Sequence, residues 1–115
     1  MIADWLRAFL LTQVVEMGVY VPAVGERPWR ERVAIAFGAS AVTHPIVWFV
    51  LPQLLAGTVD WWTTVAISEA FAVSAEAAWL CAFGLGLPRA AAISLFANGW
   101  SFTLGLFGYR LLEWS

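Results

Sequence analysis

The sequence predicts an all-α integral membrane protein: four transmembrane helices in an up-down bundle with a polar Glu/His interior. Three observations lead there. The first is composition. Of 115 residues, 62% are hydrophobic and 12% charged, whereas a soluble domain carries about 45–50% apolar and about 25% charged residues. A short chain has much surface for its volume and would need more polar residues in water, not fewer. The second is where the charges are missing. His44 aside, residues 33–59 hold no side chain charged at neutral pH, and residues 90–109 hold none. Glu16 stands alone between Ala8 and Gly25, and Glu69 and Glu76 stand alone between Trp61 and Pro88. Each stretch reaches the roughly 17–25 residues that cross a bilayer as helix. The third is punctuation: Gly, Pro and arginine cluster in the gaps between the apolar runs.

Taken in order, the first helix is expected over residues 5–24. A cleaved signal peptide fits this segment badly, because Asp4 lies in the region that should be basic and Glu16 interrupts the apolar run. "VGERPWRER" (24–32) closes it. The second helix is expected over 28–55, with Pro28 in its first turn, where a missing N–H does no harm. "AGTVDWW" (56–62) leads into the third, 61–87, and "GLGLPRA" (84–90) into the fourth, 88–112, with Pro88 again at a helix start. Trp5, Trp29, Trp61, Trp62 and Trp114 all fall near these ends, as interfacial tryptophans do. Strands are excluded by run length and by the absence of alternation. The whole chain, 1–115, reads as one domain.

Arginine counting sets an expected topology. Arg27, Arg30, Arg32 and Arg89 flank one side, and Arg7 and Arg110 the other. The positive-inside bias then leaves both termini outside, in a bacterial or archaeal inner membrane. The net charge of −2 and the lack of a basic stripe argue against a nucleic-acid partner. The lone Cys81 excludes a disulfide framework or a cysteine metal knuckle. The expected partners are the lipid bilayer and a second copy or another membrane subunit.

The polar residues inside the runs carry the functional reading. An ionisable group at mid-helix costs about 2.5–3.5 kcal/mol on insertion scales, so Glu16, His44, Glu69 and Glu76 are expected to form a cation or proton site. Glu69 and Glu76, seven apart, share a helix face, about 10 Å apart along the axis. Glu16, His44 and Glu69 are expected at one level, with Glu76 and Asn98 deeper. Gln13, Thr43, Ser94, Asn98 and Ser101 support them as an inward polar stripe, with small residues allowing close helix approach. Pro45 is expected to kink the second helix beside His44 and to free the carbonyl of Ala41.

Carboxylates with one imidazole suit a divalent ion such as Zn²⁺ or Mn²⁺, with Glu16, His44 and Glu69 as the candidate ligands; no HExxH or Glu-x-x-His motif is present. The expected function is therefore binding or relay of a cation, proton or divalent metal, across or within the membrane. Two other readings stay open at this stage: an intramembrane metal- or Glu/His-dependent hydrolase of a lipid or peptide, and a non-catalytic accessory subunit whose polar core is cohesive only.

Overall fold

The computed structural model describes residues 2–112, with side chains from residue 3 to residue 106. Trp114 and the side chain of Arg110, both expected at a membrane surface, lie outside the described residues. Every regular element among the described residues is helical: α1 (Ile2–Ala23), α2 (Trp29–Pro45), a π-helical turn (Ile46–Val50), α3 (Leu51–Leu55), α4 (Trp61–Ala82) and α5 (Leu87–Leu112). Residues 29–55 are continuous, so the chain forms four rods. That rod and α4 are each long and apolar enough to cross a membrane. α1 and α5, at 22 and 26 residues, have comparable length.

The ends of the rods follow from local chemistry. Asp60 caps α4: its carboxylate accepts the Thr63 amide at 2.8 Å, and this bond holds its carboxyl below the usual range. α4 ends at Ala82, five residues before the expected end at residue 87. Gly84 takes φ +103°, a conformation glycine adopts without penalty, and it turns the chain so that α5 already begins at Leu87. Pro28 stands at the N-cap of α2 with extended ψ, rather than inside its first turn.

The break in the second rod involves two prolines. Pro45 closes α2, and the π turn runs from there to Val50, its Ile46 carbonyl taking the Leu51 amide. Pro52 follows directly. A proline ring collides with the carbonyl four residues earlier, and a widened turn just ahead of Pro52 relieves that collision at Trp48.

α1 packs against α2 and α5, and α4 packs against the same two, so consecutive rods are neighbours and the ring closes between α1 and α5. Apart from Tyr20, Val24, Ile35 and Leu80, the interior is built from small and polar side chains. Ala36, Ala39, Ala77, Ala90 and Ala97 are buried, and so are Gln13, Glu16, Ser40, Thr43, Ser68, Glu76, Ser94 and Asn98. Large apolar side chains lie outside: Leu10, Val14, Leu54 and Leu95 are all more than 60% exposed.

The two ends of the bundle differ. At the end holding residues 24–28 and 83–86, arginines close the helix termini. Arg32 donates to the Val21 carbonyl (2.9 Å), Arg89 to Ala23 (3.1 Å) and Arg27 to Phe83 (2.7 Å). These are the orphan carbonyls of two C-terminal turns, where cations are favoured. Beneath them Trp79 donates to the Ile35 carbonyl (2.9 Å) and covers Gly38. A Cβ at Gly38 would lie 2.5 Å from its ring. At the other end, near Trp61 and Trp62, the rods separate around a cavity.

Candidate functional site

Two buried carboxyl groups occupy the axis of the bundle; Glu16 ties its helix to two other rods and Glu76 ties its helix to all three. Glu16 of α1 accepts hydrogen bonds from Ser40 of α2 (2.6 Å) and Ser101 of α5 (2.7 Å). Glu76 of α4 accepts from Tyr20 of α1 (2.5 Å), Thr43 of α2 (2.7 Å) and Asn98 of α5 (3.1 Å). Both glutamates are 1% exposed. Their carboxyl groups are neighbours at the axis. Every oxygen of the pair therefore has a donor, and five side chains converge on two acids.

No basic side chain among the described residues takes part. All six cationic residues are arginines. Arg27, Arg32 and Arg89 are committed to carbonyls at the sealed end, and Arg7 lies 3.9 Å from Asp4 near the start of α1. Two adjacent carboxylates in apolar surroundings repel each other and favour a shared proton or a bound cation between them. The surrounding hydroxyls suit a change of charge. Thr43 has second acceptors in the Ala39 and Ser40 carbonyls (3.3 Å each), and Ser101 has one in the Asn98 carbonyl (3.2 Å). A hydroxyl proton rotates to suit its surroundings, so either donor can swing onto backbone when a carboxyl gains a proton.

Directly above the pair lies a cavity of about 740 Å³. Its lining runs from Glu16, Glu76 and Asn98 at the floor, past Glu69 and His44, to Trp61 and Trp62. Along α4 it follows one face from residue 61 to residue 76, about 22 Å of helix. At the floor Tyr20, fully buried, and the core beneath it separate the carboxyls from the arginine end.

The expected residues assemble only in part. Glu16 and Glu76 meet, supported by Thr43, Asn98 and Ser101 as expected. The expected layering does not hold: Glu16 joins Glu76 instead of sharing a level with His44 and Glu69. Glu69 lines the cavity wall and has no hydrogen-bond partner among the described residues. His44 also lines the cavity, but its ring packs among Phe9 (5.3 Å), Trp5 (6.2 Å) and Trp48 (6.2 Å), with Nδ1 buried and unpartnered. Ser94 binds the Val73 carbonyl (2.8 Å) and accepts weakly from Asn98, which places it behind the site. Gln13 turns away and donates to the Phe37 carbonyl.

Among the described residues no three His, Cys, Asp or Glu side chains come together as ligands, and His44 is turned away from Glu16. The reason is rotation about α2. Ser40 and Thr43 point to the axis, and His44, about 100° further round, falls towards the aromatic rings of α1.

Tyr20, one turn after Glu16, and Ser40, one turn before His44, lie on the inward polar stripe that the sequence predicts, and the structure makes both direct donors to the acids. Comparison with protein-family models, with characterised proteins and with solved structures finds no match.

Proposed function

We propose that the chain is a four-span integral membrane protein in which the Glu16–Glu76 pair holds a proton and exchanges it for a cation arriving through the cavity from one face of the membrane. Membrane residence is supported by the arrangement of side chains. Many leucines, valines and tryptophans face outward while carboxyls, hydroxyls and two amides are buried, which is how polar groups distribute when the solvent is lipid. All four rods have at least 22 residues, and 22 residues of helix span about 33 Å against about 30 Å of hydrocarbon.

One observation carries the exchange reading: two fully buried carboxyls are neighbours, with no basic partner among the described residues, at the floor of a cavity lined by two further titratable groups. A purely cohesive core would be served by amides and hydroxyls, which hydrogen-bond across helices without a charge to neutralise. A Glu/Glu pair adds only the ability to bind and release a positive charge. With a cavity on one side and the Tyr20 layer on the other, that charge is loaded and released from a single face.

The test is infrared spectroscopy of the purified protein in lipid. A protonated carboxylic acid gives a carbonyl band distinct from that of a carboxylate. The band is expected at neutral pH in the wild type and lost in both Glu16→Gln and Glu76→Gln. Wild-type protein showing only carboxylate bands would end the proposal. The membrane assignment is read separately, from retention in the membrane fraction after an alkaline carbonate wash.

A further inference from the structure

We propose that the cavity takes an organic cation with an apolar body, whose charge Glu69 engages above the carboxyl pair. The inference rests on the reading of that pair as an exchange site and names the class of its occupant. Size is the first argument. A cavity of about 740 Å³ falls in the roughly 300–1,000 Å³ range of small-molecule sites and far exceeds what a proton or a bare ion occupies.

The lining is the second. Among the described residues the ionisable groups on it are Glu16, Glu69, Glu76 and His44, with no arginine, so the charge it presents favours a cation over an anion. An inorganic divalent ion needs several oxygen or nitrogen ligands converging on one point, and no such group of three exists among the described residues. The rest of the wall is largely apolar and aromatic, with Trp48, Trp61, Trp62 and Phe102 prominent, interspersed with threonine and serine hydroxyls. Aromatic faces with a carboxylate nearby attract organic cations, tryptophan most strongly.

Glu69 is the third. It faces the cavity without a hydrogen-bond partner, about two turns of helix from Glu76, or roughly 10 Å. The floor acids are fully engaged by donors. Glu69 is the carboxyl with capacity to spare, at the level where a bulky cation would rest. Trp61 and Trp62 stand at the mouth with their rings 4.6 Å apart, edge to face, each 60% exposed.

The test pairs two probes of equal size and shape and opposite charge, tetraphenylphosphonium and tetraphenylborate. Each is titrated calorimetrically into the full chain in detergent micelles, with empty micelles as blank. Saturable phosphonium binding is expected, weakened about tenfold or more in Glu69→Gln, the order of one desolvated charge contact, and regained in part by Glu69→Asp. Saturable borate binding is not expected. Failure of phosphonium to saturate, unchanged affinity in Glu69→Gln, or borate binding equally well would each overturn the inference.

A pH dye in weak buffer follows the proton in the same titrations. Glu69-dependent binding without proton release upholds the ligand class and removes the exchange role of Glu16 and Glu76. A carboxylic-acid band lost in Glu76→Gln, with no phosphonium binding, sustains the pair and sinks the ligand class.

Discussion

The arginine end and the tryptophan end of the bundle are made from the same four helices, yet they satisfy their polar groups in opposite ways. At the arginine end, three guanidinium groups reach three terminal carbonyls, and an indole N–H finds a fourth. Towards the tryptophan end, Trp5 Nε1, Gln13 Oε1 and His44 Nδ1 are buried without partners, and Glu69 faces an open cavity. Buried polar groups are normally paired. Departures from that rule collect here on the side with the cavity, while the opposite side has the satisfied packing of a foundation. The carboxyl pair sits at the border between the two.

The sharpest way to break this comparison is to substitute two glutamates of one helix. Glu76→Leu strands the hydroxyl of Tyr20 and removes one acceptor each from Thr43 and Asn98, which keep backbone carbonyls. An orphaned donor costs about 1–3 kcal/mol and each lost bond about 1 kcal/mol, so a loss of roughly 3 kcal/mol or more is expected, read as a large drop in the unfolding midpoint in detergent. Gly38→Ala comes next. Its methyl would press on the Trp79 ring at 2.5 Å, and overpacking of this kind costs about 1–3 kcal/mol. The same unfolding assay reads it, with Trp79 fluorescence shifting as the ring is displaced.

Arg27→Ala follows. It removes the bond to the Phe83 carbonyl and a guanidinium 5.7 Å from the Phe83 ring centre, for an expected loss of about 1 kcal/mol. Asp60 gives a local effect with a defined sign. Its carboxyl lies below the usual range because it accepts from Thr63, so the cap is present above ordinary carboxylate pH and is lost as pH falls through the lowered value. Amide exchange at Thr63, corrected for the intrinsic effect of pH, should show protection fading over that acid window and missing throughout in Asp60→Ala. Glu69→Gln is expected to do least, within about 0.5 kcal/mol of wild-type stability. If it destabilised the fold as much as Glu76→Leu, the contrast between a structural and a free carboxyl on one helix would be lost.

Much of the architecture was written in the chain. Proline and glycine mark where rods begin and end, and charge-free runs mark their lengths. Ser94, Asn98 and Ser101, spaced four and three, do share one face of α5, and the latter two reach the acids. Pairing was less legible. A polar residue at i+3 and another at i+4 both count as the same face in a sequence, yet the space between three neighbouring helices admits one of them. Thr43 took that place and His44 did not, because Phe9 and Trp5 offered its ring an apolar seat. The end of α4 was misplaced for a different reason: Phe83 and Leu85 are apolar enough to continue a span, and only the backbone conformation of Gly84 ends it.

The π turn at Ile46–Val50 has a consequence for how this molecule can tolerate change. Such a turn is an α-helix carrying one surplus residue. Removing a single residue there should let the rod close into regular helix while Thr43 on one side and Pro52 on the other keep their compass bearings. A deletion elsewhere along residues 29–55 would swing everything beyond it by about 100°. That short stretch is where lineages of this chain could shorten the rod without losing the chamber it walls.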